Sequence, residues 1–344
     1  MLSFDVTMPA ALFVVTLVAM LLDRRIEGKL KTTFEEREFR MRDAILFVVM
    51  ISVAVSVIAF VPQMAIMVVF LFSYSTLLFT FSYIFSDIRK KRAQLFCLAF
   101  GVASLAAGIA VLLDPFAGSL MLYGGLALCG LAGFAFVALL LEQKKADSKG
   151  RWYLAVLPPA LFILLYLVYK ETVLWFPFLL NVYGVIFAVL IILYLGSLFS
   201  WKSALIFAGL LTIVDIILVL VTGTMISAAK TVSDLRLPVL ISLPIIPLIT
   251  EGGLRYISLG LGDFFFAGIL ATQTFRKFGK KTAVLSTVTM SVSFAIFEVF
   301  LLNSTLPGFP GTVMIICGWL PVMAWKMLSE RRQKQQESRE INQK

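Results

Sequence analysis

Histidine is absent from the 344 residues of this chain. Its absence excludes a Ser-His-Asp or Cys-His nucleophilic site, a histidine-ligated haem and the HExxH zinc motif. The three cysteines, Cys97, Cys129 and Cys317, lie inside apolar stretches without CxxC spacing, which argues against a disulfide framework or a zinc site. We therefore expect no metal and no cofactor, and any catalysis must use Asp, Glu, Ser, Thr, Lys or Tyr.

Charged residues are also scarce, at 15% of the chain, whereas hydrophobic residues make up 60% and the mean hydropathy is +0.97. The apolar residues form blocks of about 20 residues, the length that a helix needs to cross a bilayer. Lipid cannot satisfy backbone polar groups, and continuously apolar blocks do not fit the alternation of a barrel. The sequence therefore predicts an all-α polytopic membrane protein with about nine to eleven transmembrane helices.

Eleven blocks are candidate spans. They cover 6–22, 44–61, 64–85, 95–113, 118–141, 153–169, 172–198, 201–222, 254–275, 282–302 and 311–327. A further apolar stretch, 237–249, is short and contains three prolines, so we predict a re-entrant or interfacial segment there.

Basic residues indicate the orientation. All but four of the 30 Lys and Arg residues fall in alternate connections between the spans or in the C-terminal tail. The four exceptions are Lys170, Lys230, Arg236 and Arg255. By the positive-inside rule, the C-terminus is cytoplasmic and the N-terminus is outside. The net charge of +10 thus reflects basic residues on the cytoplasmic side of the bilayer, and we predict no nucleic-acid partner.

Three acids lie well inside apolar blocks: Asp215, Asp263 and Glu298. An ionisable group in a span is costly, so each is a candidate functional residue. Asp215 and Asp263 lie on consecutive spans and could face each other. Two carboxyl groups that share a site do not both ionise easily, which is the arrangement that peptide hydrolysis requires. Glu298 fits the role of a structural hydrogen-bond partner or a cavity-lining group better than that of a third catalytic group.

The acids alone favour a different class of function, a proton-relay or ion-coupling site in a secondary transporter or channel. Such transporters are often built from inverted repeats with paired broken helices, and no such pairing is visible in the two halves of the chain. A prepilin-type peptidase, with acids near the cytoplasmic face, is a further alternative.

Three motifs that follow one another along the chain argue against a transporter or channel. The stretch VDIILVLVTGTMISAAKTVSDLRLPVLI begins at Val214, GGLRYISLGLGDFFFAGIL begins at Gly252, and TLPGFPGTVMI begins at Thr305. They are similar to the sixth span, the GxGD segment and the Pro-Ala-Leu region of the presenilin and signal peptide peptidase family. The chain resembles this family of intramembrane aspartyl proteases over roughly 201–325, and the prokaryotic type in particular.

The resemblance implies a presenilin-like catalytic core and a role for each matching residue. The catalytic pair would be Asp215 and Asp263. The residues that would shape the cleft or bind substrate are Gly260, Leu261, Gly262, Pro307, Gly308 and Phe309. The segments 237–249 and 254–259 would match the region that pairs with an unwound substrate. The partners would be transmembrane helices of other proteins, and no partner subunit can be inferred.

The chain also departs from the family pattern. Val214 stands where the family usually has Tyr, and the last motif reads Pro-Gly-Phe, which leaves open a catalytically inactive, presenilin-like protein. The family typically has nine spans. We therefore divide the chain into a hairpin region of two candidate spans (1–62), the first part of the core (63–200), the catalytic part (201–328) and a charged cytoplasmic tail (329–344). A prokaryotic plasma membrane is the expected location.

Overall fold

The computed structural model describes residues 4–33, 39–61, 63–144, 151–246, 255–306 and 308–342. Twelve α-helices occupy most of these residues. They are α1 (Thr7–Thr33), α2 (Met41–Phe60), α3 (Gln63–Ile84), α4 (Lys90–Leu112), α5 (Ser119–Lys144), α6 (Leu157–Tyr169), α7 (Leu180–Leu198), α8 (Trp201–Ile216), α9 (Thr224–Asp234), α10 (Leu261–Phe278), α11 (Lys280–Leu302) and α12 (Gly311–Asn342). A 3₁₀ turn, Trp152–Val156, precedes α6, and π-helical turns, Leu174–Leu179 and Ile217–Val221, precede α7 and follow α8.

The prediction of an all-α polytopic membrane protein is confirmed. Within the described ranges, nine helical segments are long and apolar enough to cross a membrane. The apolar part of α1, Thr7–Asp23, is shorter, and α10 carries Asp263, Arg276 and Lys277.

One predicted span was partly wrong. Residues 254–275 were predicted as one helix, but Tyr256–Gly260 form a strand, β2, which pairs antiparallel with β1 (Leu240–Pro244). The ladder aligns Leu240 with Gly260 and Pro244 with Tyr256. The apolar segment YISLG runs into the helix without a break in hydropathy, so the sequence pattern hides the change from strand to helix.

The chain divides into two compact units: unit 1 is Met1–Val61 with Asn181–Lys344, and unit 2 is Pro62–Leu180. These units follow spatial contacts, whereas the predicted domain division followed chain order. In unit 1, α1 packs against α10 and α11, while α2 packs against α8 and α9. The first two helices thus have different neighbours. Helix α1 contacts α10, which carries Asp263, and helix α2 contacts α8, which carries Asp215.

The centre of unit 1 is α10, in which every residue from Phe264 to Phe275 is buried. At its C-terminal end, the Arg276 guanidinium donates to both carboxylate oxygens of Asp23 on α1, at 3.0 and 2.8 Å. Gly279 then ends α10 with a φ of 84°, a left-handed conformation that favours glycine. These contacts fix α10, and with it Asp263, between its neighbours.

The N-terminus of α1 is tied to the strand pair. Asp5 caps α1 by accepting from the main chain of Thr7 and Met8, at 3.1 and 2.9 Å. The same carboxylate accepts from Ile246 N at 3.0 Å, and Thr7 Oγ1 donates to the Pro244 carbonyl at 2.8 Å. The end of β1 is therefore held by α1.

Unit 2 is built on close contact between α4 and α5. A Cβ on Gly108 would lie 2.9 Å from the Gly125 carbonyl, so these two glycines let the helix backbones approach. At the ends of the helices, Arg151 and Glu142 form a fully buried ion pair at 2.7 Å, and Arg151 also donates to the Ile88 carbonyl at 2.6 Å. The Tyr153 hydroxyl donates to the same Glu142 carboxylate.

Candidate active site

Asp215 is the second-last residue of α8, just before the helix loosens into the π turn Ile217–Val221. Its side chain is buried, with 9% of its surface exposed. The carboxylate oxygen Oδ2 accepts two hydrogen bonds from Thr312, one from the hydroxyl at 2.6 Å and one from the main-chain N–H at 3.3 Å. Asp215 is therefore fixed by the first turn of α12.

Asp263 is the third residue of α10 and follows directly from β2 through Gly260, the residue that caps the helix. A Cβ on Gly260 would lie 3.4 Å from Oδ2 of Asp263, so the main chain of Gly260 lies beside the carboxyl group. The side chain is only partly buried. The N-terminus of a helix also favours negative charge, so this position can tolerate an ionised carboxylate.

The two carboxyl groups form one site. Each lies close enough to the other for the charge of Asp215 to act on Asp263. Two neighbouring residues of α12 contact the pair: Thr312 bonds Asp215, while a Cβ on Gly311 would lie 2.6 Å from Cγ of Asp263. Gly311 therefore has to be a glycine for α12 to approach so closely.

The three predicted cleft residues of the GxGD segment lie beside Asp263. Leu261 is buried, and its N–H donates to the Val239 carbonyl at 2.9 Å, which extends the strand ladder into α10. Gly262 is exposed, with open space where a Cβ would be. Gly260 touches the acid itself, as described above.

The predicted Pro-Ala-Leu-like residues are arranged differently. Pro307 lies outside the described residues. A Cβ on Gly308 would meet Ile226 at 3.3 Å, and Phe309 stacks on Phe297 with ring centroids 5.4 Å apart, so neither contact involves the acids.

Two residues of α12 that contact the acids, Gly311 and Thr312, were missed by the sequence analysis. The segment Pro-Gly-Phe-Pro-Gly-Thr contains two Pro-Gly steps three residues apart. We assigned the first step to the site, whereas the second one lies against the carboxyl pair. The repeated Pro-Gly step was the signal that the sequence offered for these contacts. A glycine followed by a threonine suits the start of a helix next to a carboxyl group.

Glu298 on α11 is not part of this site. Its side chain is 1% exposed, and neither carboxylate oxygen has a hydrogen-bond partner among the residues that the structure describes. The charge that acts on it is that of Asp5, not that of the pair. The expected hydrogen-bonding role is therefore not seen, although the group is buried between helices.

The strand pair offers one covered edge and one edge beside Asp263. The side chain of Asn181, in the first turn of α7, bonds both main-chain groups of Ser242 on the outer edge of β1. Its amide N donates to the Ser242 carbonyl at 2.6 Å, and its amide O accepts from Ser242 N at 2.8 Å. Asn181 thus takes the place of a neighbouring strand.

On β2, the direction of each main-chain group follows from the ladder. Leu261 N donates to Val239 O, and the bonded positions of an antiparallel pair alternate. The N–H and C=O groups of Ser258 and Gly260 therefore point away from β1. Since Gly260 lies beside the Asp263 carboxyl group, this outer edge of β2 ends next to that acid.

Within the described part of the chain, no group of three or more Cys, Asp or Glu residues could hold a metal ion. The site itself consists of two carboxyl groups with the hydroxyl and main-chain N–H of Thr312 beside them.

The family model for signal peptide peptidase, peptidase A22B, matches residues 29–306. The chain belongs to this family. A comparison with curated proteins finds no match. The family consists of intramembrane aspartyl proteases, so its members are peptidases that act on substrates within the bilayer. The match ends before α12, so the contacts of Gly311 and Thr312 come from the tertiary structure alone.

Proposed function

We propose that this chain is an endopeptidase that cuts peptide bonds within transmembrane helices, with Asp215 and Asp263 as its catalytic pair. The observation that carries the proposal is that two carboxyl groups from different helices meet the first turn of α12, where Thr312 hydrogen-bonds to Asp215 and Gly311 lies against Asp263. Membership of the signal peptide peptidase family supports the class of reaction.

The reaction needs one ionised and one protonated carboxyl group. The carboxylate takes a proton from a water molecule while the water oxygen attacks the scissile carbonyl carbon, and the protonated carboxyl group gives its proton to the carbonyl oxygen. The resulting tetrahedral diol collapses with cleavage of the C–N bond, and the amine leaves with a proton from the pair. The products are a carboxylic acid and an amine, and neither a metal nor a cofactor is required.

The outer edge of β2 is the proposed binding site for the substrate. A transmembrane helix must unwind before its backbone can be cut, and an extended segment can add to a strand edge by main-chain hydrogen bonds. Asn181 covers β1, whereas the main-chain groups of Ser258 and Gly260 point away from β1, and Gly260 lies beside Asp263. A segment paired there would bring its own peptide bonds to Asp263.

The distribution of basic residues supports an N-terminus outside and a cytoplasmic C-terminus in a prokaryotic plasma membrane. With that orientation, the substrates would be helices whose N-termini are cytoplasmic. Reporter fusions at residues 148 and 230 test the orientation, and cytoplasmic signals from both positions would overturn it.

The test of the function uses purified full-length protein in liposomes with a single-span reporter peptide. Asp215→Asn and Asp263→Asn should each abolish cleavage while the protein remains folded. Asp234→Asn, at the exposed end of α9, is the matched control and should cleave like the parent. Cleavage by Asp263→Asn at the parental rate would defeat the proposal, as would an ion flux through the liposomes that depends on Asp215.

A further inference from the structure

Thr312 makes its hydrogen bonds to one acid of the pair, Asp215. Both of its donors, the main-chain N–H and the side-chain hydroxyl, converge on Oδ2 of Asp215. Thr312 is 4% exposed, so water does not compete freely for these bonds. Its neighbour Gly311 lies against Asp263 and, having no side chain, offers that acid no hydroxyl group.

The two bonds differ in what they reveal. A main-chain N–H can only donate, so Oδ2 of Asp215 is the acceptor of that bond, and an ionised carboxylate oxygen is a stronger acceptor than a protonated one. The hydroxyl distance of 2.6 Å lies in the range of O–H···O⁻ hydrogen bonds, which are shorter and stronger than neutral ones. Hydrogen bonds donated to a carboxylate favour its ionised form.

Asp263 is less well supplied with donors. In the part of the chain that the structure describes, no side chain donates a hydrogen bond to it, and its neighbour on the β2 side is the Gly260 main chain. Among the described residues, Asp215 is the titratable group that faces Asp263, and no Lys or Arg acts on either carboxyl group. The N-terminus of α10 also favours an anion at Asp263, but it acts more weakly than direct hydrogen bonds to a charged group, so the two donors on Asp215 are what distinguishes the two acids.

We propose that Thr312 is a positioning residue that keeps Asp215 ionised, so that the proton shared by the pair resides on Asp263. Asp215 then activates the water, and Asp263 donates to the scissile carbonyl. The proposal rests on the protease function given above and assigns the two acids their separate roles.

The experiment compares Thr312→Val with Thr312→Ser in the full-length protein in liposomes. Valine keeps the shape and removes the hydroxyl, whereas serine keeps the hydroxyl and removes the methyl group. Rates of reporter cleavage are measured from pH 4 to pH 9, and kcat and KM are separated at each pH. Thr312→Ala serves as a second variant without the hydroxyl if the valine protein does not fold.

Loss of the hydroxyl should move the acidic limb of the kcat profile about one pH unit upwards, because a hydrogen bond to a charged group is worth roughly that much. At the acidic side of the parental optimum, kcat should fall about tenfold, with KM unchanged. Thr312→Ser should keep the parental profile.

Superimposable profiles for Thr312→Val and the parent would overturn the proposal, as would a serine variant that behaves like the valine variant. Such a failure is distinct from a failure of the protease function. In the first case Asp215→Asn and Asp263→Asn are still inactive, whereas in the second they still cleave.

Discussion

Gly311 lies directly against the carboxyl group of Asp263, so that a single added methyl group would overlap it. This contact brings the start of α12 into the site and leaves room for the acid only because the residue has no side chain.

Replacing Gly311 with Ala should therefore displace either Asp263 or α12. A displacement of about 1 Å can cost roughly 100-fold in rate, and we expect at least that loss in kcat. Cleavage of a reporter peptide in liposomes measures the effect. Gly209→Ala is the control, because its Cβ would meet nothing within 4 Å and its activity should match that of the parent. An active Gly311→Ala protein would show that α12 does not press on the acid.

The rate of cleavage should follow a bell-shaped dependence on pH. As pH falls, both carboxyl groups become protonated and no base remains; as pH rises, both ionise and no proton donor remains. Activity is therefore lost on both sides of an optimum. Initial rates in buffered liposomes would measure this, with samples returned to the optimum to show that the loss is reversible. A rate that stays constant between pH 4 and pH 9 would contradict a shared proton.

Replacing Asn181 with Leu should open the outer edge of β1. The main-chain groups of Ser242 lose both partners, which costs roughly 1 kcal/mol for each bond, and a second edge becomes available for pairing. We expect cleavage at additional positions in the reporter, read by mass spectrometry of the products. Asn303→Ala is the control, because the Asn303 side chain donates within its own helix to Val299. An unchanged set of products from Asn181→Leu would show that the β1 edge plays no part in substrate pairing.

Glu142→Ala should destabilise unit 2 strongly. It removes the buried carboxylate that pairs with Arg151, and breaking a buried ion pair costs about 3–5 kcal/mol. Thermal unfolding in detergent would report the change. Glu330→Ala removes an exposed partner of Lys326, 3.9 Å away, and should cost less than about 0.5 kcal/mol. Similar losses for both variants would show that burial does not determine the strength of these pairs.

Glu298→Gln should leave the protein at least as stable as the parent. The buried carboxylate oxygens have no hydrogen-bond partner among the residues described, and an acid in a span is costly. An amide keeps the shape and cannot ionise. Asp23→Asn is the contrasting variant, because it weakens the bidentate bond to Arg276 and should lower the unfolding temperature. A marked loss of stability in Glu298→Gln would indicate a partner for the carboxylate.

The sequence predicted the spans well because hydropathy is a local property. Each of the eleven predicted blocks overlaps a helix, and Asp215 and Asp263 stand out because a charge inside an apolar block is rare. The strand β2 was missed because its residues are as apolar as the helix that follows. Secondary structure there depends on pairing with β1, which lies outside any local window.

The amino-acid sequence by itself determined the membrane class, the family and the two candidate acids, since these depend on composition and on motifs within short segments. The tertiary structure alone decided which Pro-Gly step meets the acids and which strand edge is covered. Thr312 reaches Asp215 across 97 residues of chain, and Asn181 reaches Ser242 across 61. Such contacts depend on how distant helices pack, and the order of residues along one helix does not specify its neighbours.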